Sequence, residues 1–247
     1  MSQVVLAARN VSFGYEQEAI LKDVSIEIRA GDFLAVIGPN GGGKTTLLKV
    51  LLGLLRPWSG SVECNLPRGA LGYVPQFSHF DPHFPLRVRD VVLMGRMGAR
   101  GLMRRYSAED RAAAEDSLAR LGLSDLSGEI IGDLSGGQLQ RVLIARALAG
   151  DPGVLLMDEP LASLDPESRQ VLMRELKLLS EKIPVVVVTH DITPFAGTIK
   201  QIACVNRKLH YHEGGQLTPQ QLEEAYGCPV ELVAHGVPHR VLPPHNH

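Results

Sequence analysis

A run of eight residues near the N-terminus has the composition and spacing of a phosphate-binding loop. Residues 38–45 read Gly-Pro-Asn-Gly-Gly-Gly-Lys-Thr and come directly after the apolar run Phe33–Ile37. Glycines let the backbone curl so that successive N–H groups point at phosphate oxygens, and a helix that begins here adds a favourable dipole. Lys44 can neutralise the β- and γ-phosphates of a nucleotide, while Thr45 offers a hydroxyl to Mg²⁺. The residues expected at this nucleotide site are Gly38, Pro39, Asn40, Gly41, Gly42, Gly43, Lys44, Thr45 and Thr46.

A second pair of chemically active residues follows another apolar run. Val154–Met157 leads directly into Asp158 and Glu159. A strand that ends in acids places a carboxylate beside the metal, where low-dielectric surroundings strengthen the interaction. We expect Asp158 to hold Mg²⁺ through its water shell. We expect Glu159 to polarise the attacking water as general base, a role worth about 10²–10⁴ in rate.

These loops require a scaffold of strands that end at one edge of a sheet. Alternation, or a short continuous apolar run, predicts strands at Val4–Ala7, Ser25–Ile28, Phe33–Ile37, Val154–Met157 and Val185–Val188. Leu47–Leu55 predicts a helix that stops near Arg56-Pro57. Strands that alternate with helices predict an α/β fold with a largely parallel sheet flanked by helices. Ligands of such sheets bind beyond the carboxyl ends of the strands, where both motifs lie.

The segment between the two motifs has a different character. Ser107-Ala108-Glu109-Asp110 has the form of a capping box, and an alanine-rich, charged helix is expected from there to Leu121. We therefore expect a helical subdomain at about residues 77–133, inserted into the nucleotide-binding core. Residues 216–247 form a separate tail.

Composition limits the class of protein. The chain has 247 residues and a formal net charge of −2, so a nucleic-acid partner is not expected. Three widely spaced cysteines favour free thiols over a disulfide framework. The first residues lack the pattern of a secretory signal, and no run approaches the ~18 apolar residues of a spanning helix. We expect a soluble or peripheral protein whose membrane work is done by another subunit.

The most specific segment is residues 134–141, Leu-Ser-Gly-Gly-Gln-Leu-Gln-Arg. Ser135 can cap a helix whose glycine amides make a second anion site, although one chain needs only one triphosphate site. With residues 38–46 and the Met157–Pro160 segment, this octapeptide makes the chain resemble the ATP-binding subunit of ABC transporters over about residues 4–215. The resemblance implies ATP hydrolysis with Mg²⁺ on a sheet of the P-loop NTPase type, with an N-terminal antiparallel β part.

The resemblance also implies partners. Two chains would form a homodimer, packed head to tail, and cover each other's nucleotide. The γ-phosphate held by Lys44 of one chain would be covered by four residues of the other, namely Ser135, Gly136, Gly137 and Gln138. The dimer would lie peripherally on the cytoplasmic face of the inner membrane, bound to integral-membrane permease subunits. An importer would also use an extracytoplasmic solute-binding protein.

Three further residues and one short segment match motifs of the family. His190, after Val185–Val188, matches the histidine that hydrogen-bonds the γ-phosphate and orients the attacking water. Gln76 matches the glutamine that reaches Mg²⁺ and this water, and Tyr15 matches the aromatic residue that stacks on adenine. Residues 163–165, Ser-Leu-Asp, match the loop that crosses the dimer interface.

The cargo is less specifically indicated than the motor. Residues 81–96 and 138–146 resemble the corresponding segments of zinc and manganese importers, and we expect zinc, with manganese, iron or another solute as alternatives. The tail and the residues just before it are rich in histidines, namely His210, His212, His235, His239, His245 and His247. A disordered His-rich end is favoured, and a zinc sensor that also uses Cys228 is the alternative.

Other classes of protein fit less well. An ABC ATPase that acts on DNA or the ribosome usually has two nucleotide-binding domains, a long coiled coil or basic patches, and none is found in the sequence. Intact Lys44, Asp158, Glu159 and His190 argue against a regulatory module without turnover. An exporter motor is more often fused to its membrane segment.

Overall fold

The computed structural model describes residues 3–76, 85–100 and 105–213. The strands are β1 (Val4–Tyr15), β2 (Glu18–Arg29), β3 (Phe33–Ile37), β4 (Ser59–Cys64), β5 (Leu71–Val74), β6 (Val154–Asp158), β7 (Val185–Val188), β8 (Gln201–Asn206) and β9 (Lys208–Glu213). The helices are α1 (Lys44–Leu51), α2 (Val88–Leu93), α3 (Met97–Arg100), α4 (Ala108–Arg120), α5 (Gly136–Ala149) and α6 (Pro166–Ser180). Short 3₁₀ turns connect several of these elements.

The strands form two sheets. An antiparallel sheet has the order β2-β1-β4, and a six-stranded sheet has the order β5-β6-β7-β3-β8-β9. In the larger sheet β5, β6, β7, β3 and β8 are parallel, and only the β8–β9 hairpin is antiparallel. The predicted α/β fold, with a largely parallel sheet and an N-terminal antiparallel part, is confirmed.

Alternate residues of the central strands face two different cores, because side chains alternate across a strand. One core packs α1 and the antiparallel sheet against residues such as Leu34, Val36 and Val186. The other packs α2, α4, α5 and α6 against residues such as Phe33 and Val187. Burial on both sides explains the continuous apolar runs of β3, β6 and β7. Each fully buried Val or Leu side chain contributes about 1.5–3 kcal/mol.

Two ion pairs, each with a buried carboxylate, join helices of this part of the fold. Arg96 donates from Nε to Asp110 Oδ1 at 3.0 Å and from Nη1 to the carbonyl oxygen of Ala149 at 2.9 Å. Asp110 is fully buried and also completes the predicted capping box with Ser107. Arg120 joins α4 to Glu175 of α6. The limits of the helical subdomain, residues 77–133, stay a prediction, since part of this range lies outside the described residues.

Helix α1 differs from the predicted Leu47–Leu55. It begins at Lys44, inside the phosphate-binding loop, and ends at Leu51. Gly53 has a φ of +69°, and this left-handed residue ends the helix before the proline is reached.

Candidate functional site

The two predicted motifs come together because their strands, β3 and β6, both pair with β7. β3 pairs with β7 and β7 with β6, so that Val36, Val188 and Asp158 stand level in the sheet. The residues that follow these strands therefore meet at one edge, as parallel strands require. Gln76 follows β5, the next strand along, and lies at the same edge.

The phosphate-binding loop rests on the last parallel strand. A Cβ atom on Gly38 would lie 2.0 Å from the carbonyl oxygen of Val205 in β8, so only glycine fits there. The N–H of Arg207 donates to the carbonyl oxygen of Gly42 at 3.2 Å. Gly41, by contrast, has a φ of +76° and open space where a Cβ would point. Gly43 is the N-cap of α1 and has no side chain that could accept from the first-turn N–H groups, so these groups are available to an anion.

Lys44 is buried within this loop. Its Nζ donates to the carbonyl oxygens of Gly38 and Pro39, both at 2.9 Å. Burial lowers the pKa of Lys44 from its ordinary value, and the negative charges of Glu159 and Asp158 oppose that change. A cation with low exposure and nearby acids is suited to a polyanionic ligand.

Thr45 and Asp158 bring two hard oxygen atoms together. The hydroxyl of Thr45 donates to Oδ2 of Asp158 at 2.6 Å. Burial raises the pKa of Asp158, and the hydrogen bond from Thr45 and the charge of Lys44 act in the opposite direction. Hydroxyl, carboxylate and amide oxygens are the ligand type that Mg²⁺ prefers, so these two residues and Gln76 fit such an ion.

Glu159 and His190 form the third contact of the site. Nδ1 of His190 lies 2.9 Å from Oε2 of Glu159. The backbone of Glu159 has a φ of +48°, an uncommon conformation for a non-glycine residue, and its N–H donates to the carbonyl oxygen of Val188 at 2.9 Å. The sheet thus holds Glu159 in a strained conformation that aims its carboxylate at the cavity.

An open cavity of about 320 Å³ joins these residues. It is lined by Tyr15, Ile20, Asn40, Gly41, Gly43, Lys44, Thr45, Thr46, Gln76, Asp158 and Glu159. Of these, Ile20 was not expected from the sequence, because nothing in its surroundings in the chain marks an isoleucine in β2 as a ligand contact. The expected residues Gly38, Pro39, Gly42 and His190 touch lining residues or support the loop without lining the cavity.

The segment Ser135–Gln138 does not line this cavity. Ser135 caps α5, and its hydroxyl accepts from the N–H of Gln138, while the Gln138 side chain accepts from the N–H of Ser135. Ser135 and Gly136 are exposed, so this helix start faces outward. The loop at residues 163–165 packs behind it, since a Cβ on Gly137 would lie 3.1 Å from the carbonyl oxygen of Ser163.

A family model described as ABC transporter matches residues 21–162, more than half of the chain. The chain belongs to the ABC transporter family. It is an ATP-binding cassette, an enzyme that hydrolyses ATP. In the ranges of this ABC protein that the structure describes, no helix is long and apolar enough to cross a membrane.

Curated relatives of this ABC protein align over most of its length. An ATP-binding protein assigned to a metal transport system of Chlamydia trachomatis is 41% identical, over 81% of this chain and 87% of the relative. The manganese transport ATP-binding protein MntB of Listeria innocua is 38% identical, over 92% of this chain and 98% of the relative. The zinc uptake ATP-binding protein ZnuC of Bacillus subtilis is 38% identical, over 76% of this chain and 84% of the relative.

Solved structures of ABC proteins have the same fold. One is an inward-facing ABC transporter assigned to the metal-chelate type, with a TM-score of 0.81 and 32% identity over 94% of this chain and 91% of that one. Another is a dimeric ATP-binding cassette in a post-hydrolysis state with ADP and phosphate bound. It gives a TM-score of 0.71 and 29% identity over 87% of this chain and 100% of that one.

Proposed function

We propose that the protein is the ATP-hydrolysing motor subunit of an importer for a divalent metal ion. The observation that carries this proposal is the set of relatives, since those of Chlamydia, Listeria and Bacillus all have names that refer to metal transport or zinc uptake. The resemblance of residues 81–96 and 138–146 to metal importers agrees with it. Residues 81–84 lie outside the described part of the chain.

Zinc and manganese are the two candidate cargoes. The sequence segments favour zinc, and the zinc relative covers 76% of the chain. Manganese is the second candidate, because the Listeria manganese relative has the same identity and covers 92%. Iron or another solute is the remaining alternative from the sequence.

The nucleotide is proposed to lie along the cavity from Tyr15 to Gln76. Tyr15 would stack on adenine, while Lys44 and the loop N–H groups bind the β- and γ-phosphates. Thr45, Asp158 and Gln76 would hold Mg²⁺. The ion, when bound, neutralises charge that develops on the phosphates.

Water activation is assigned to Glu159. Its carboxylate would accept a proton from the attacking water, and the fixed backbone of this residue keeps the acceptor in place. His190 is hydrogen-bonded to this carboxylate and would also bind the γ-phosphate. Gln76 would orient the same water.

A second copy of the chain is proposed to complete the site. The supporting observation is that the outward-facing start of α5 at Ser135, with Gly136, Gly137 and Gln138, lies apart from the cavity of its own chain. A helix N-terminus binds anions, so it can cover the γ-phosphate of a partner in a head-to-tail homodimer. The loop at residues 163–165 would then lie at the interface.

The remaining parts of the transporter are proposed from the family. Integral-membrane permease subunits would bind the motor at the cytoplasmic face of the inner membrane, where it is peripheral, and a solute-binding protein would deliver the metal ion outside. Residues 1–215 would form the nucleotide-binding domain, and residues 216–247 the His-rich tail. Of the histidines before and within the tail, His210 lies on β9 and is exposed, and those beyond residue 213 lie outside the described residues.

A genetic experiment tests the cargo. We would delete the gene, grow the cells under a metal chelator, and add back zinc, manganese or iron separately. The proposal predicts that one metal alone restores growth. It also predicts that a plasmid with the intact gene restores growth, whereas a plasmid with the E159Q variant does not. Zinc-only or manganese-only rescue decides between the two candidates. If no metal changes growth and cellular metal content is normal, the importer proposal is wrong.

A further inference from the structure

Three aromatic rings lie in contact where the first hairpin meets the nucleotide cavity. Tyr15, the last residue of β1, lines the cavity and is 49% exposed. It packs edge to face on Phe13, with ring centroids 5.2 Å apart. Phe13 is buried, and its ring centroid lies 6.2 Å from that of Trp58. The ring of Phe13 therefore links Tyr15 to a tryptophan outside the cavity.

Trp58 is held by the backbone of the strand that carries Tyr15. The backbone N–H of Trp58 donates to the carbonyl oxygen of Ser12 at 2.8 Å. The indole lies directly over Gly14, where a Cβ would stand 2.5 Å from its Cη2 atom and 2.0 Å from the carbonyl oxygen of Glu18. Glycine at this position is thus what lets the indole cover the residue that precedes Tyr15.

Tyr15 itself has little support on the cavity side. It pairs with Glu18 at the end of the hairpin, and Glu16, with a φ of +54°, turns the chain immediately afterwards. An exposed ring at a turn is oriented by the groups on its one packed side. Here that side is Phe13, backed by Trp58.

We infer that Trp58 is a positioning residue for adenine recognition. It fixes Phe13 and the backbone at Gly14, and thereby the plane of the Tyr15 ring. Trp58 is not among the described residues that line the cavity, so it acts through Tyr15 rather than on the nucleotide. The inference rests on the proposed role of Tyr15 in base stacking.

The test measures ATP affinity by calorimetry with the full chain and its variants. W58A is expected to raise the Kd for ATP by about three- to tenfold, the range of one or two lost aromatic pairs. W58F keeps a ring in place and should restore affinity to within about twofold of the starting protein. The kcat at saturating ATP is expected to stay unchanged in both. L54A is the matched control, since Leu54 is an exposed apolar side chain of the same connection without a ring.

A second readout is spectroscopic. Trp58 is the only tryptophan in the chain, so its fluorescence reports on this cluster alone. ATP should change the emission of the starting protein and leave that of Y15A unchanged. Thermal unfolding of each variant separates a folding defect from a loss of affinity.

The outcomes separate this inference from the proposed function. If Y15A weakens ATP binding and W58A does not, the inference about Trp58 is wrong. It is also wrong if W58A binds ATP normally and loses only activation by the permease, because Trp58 would then contact a protein. If Y15A and K44A both bind ATP normally, the proposed nucleotide site itself is wrong.

Discussion

Oε2 of Glu159 and Nδ1 of His190 lie 2.9 Å apart, although the two residues follow different strands. Their exposure differs sharply, since the side chain of Glu159 is 12% exposed and that of His190 is 68% exposed. The carboxylate is therefore sheltered inside the site, while the imidazole stands at its open side. This arrangement lets the Glu159 carboxylate keep its position while ligands enter and leave on the side of His190.

Replacement of this carboxylate by an amide should stop turnover and leave binding intact. E159Q keeps the shape of the side chain and loses the basic oxygen, so the rate of phosphate release should fall by a factor of about 10²–10⁴. Calorimetry should find an ATP affinity close to that of the starting protein. Normal turnover in E159Q would refute the assignment of the general base.

His190 and Glu159 should act as one unit. If the imidazole works through its contact with the carboxylate, H190A in an E159Q background should lower the rate by no more than about threefold. In the starting protein the same H190A change should have a much larger effect. Single-turnover rates of the four proteins in this cycle give the coupling, and independent, multiplying effects would contradict it.

The hydroxyl of Thr45 should set the requirement for Mg²⁺. T45A removes an oxygen that lies 2.6 Å from Oδ2 of Asp158, and the Mg²⁺ concentration for half-maximal ATPase rate should rise about tenfold or more. T45S keeps the hydroxyl and is the matched control. Equal Mg²⁺ curves for T45A and T45S would exclude a role of the hydroxyl in metal binding.

Asp158 should lower the stability of the fold near neutral pH. Burial raises its pKa above the ordinary value of 3.8, so the folded carboxyl binds a proton more tightly than the unfolded one. Its contribution therefore becomes less favourable as pH rises from about 3.8 through the raised folded pKa, and the loss is complete above it. D158N should gain about 0.5–2 kcal/mol in free energy of unfolding at pH 7, as is common when a functional charge is removed.

Urea unfolding at two pH values checks this prediction. The gain of D158N should vanish well below pH 3.8, where the carboxyl is protonated in both states. D151N, at an exposed carboxyl, is the control and should show no gain that depends on pH in this way. A pH-independent gain in D158N would contradict the linkage.

Two glycines of the phosphate-binding loop should respond differently to alanine. Gly38 and Gly41 both have positive φ, so each variant carries backbone strain of about 1 kcal/mol. Only at Gly38 does the new methyl group meet a backbone oxygen, that of Val205. G38A should therefore lose about 3 kcal/mol or more in unfolding free energy, and equal losses in the two variants would show that the clash is relieved.

The central strands could be predicted because both of their faces are buried. Phe33–Ile37 and Val185–Val188 are continuous apolar runs, and the structure has strands with these same bounds. The helix caps at Ser107 and Ser135 were also predictable, because capping depends on residues three positions apart.

Elements that depend on distant contacts could not be predicted in full. β1 and β2 are each much longer than the predicted strands. Asn10 and Asp23 have positive φ and the register shifts near them, so the alternation of apolar and polar residues that predicts a strand is broken there. The start of α1 was hidden because the polar residues of the phosphate-binding loop also form its first turn. Ile20 lines the cavity, and Trp58 packs on Phe13 behind it, only because the fold brings distant segments together.

The support of the phosphate-binding loop by Val205 and Arg207 has a consequence for biosynthesis. The loop at residues 38–45 leaves the ribosome well before the strand on which it rests, residues 201–206. A nascent chain that ends before β8 contains Gly38 and Gly42 without the carbonyl and N–H groups that hold them. Contacts between such distant segments form late and slowly. We therefore expect the ability to bind nucleotide to be acquired only after residues 201–207 have been translated.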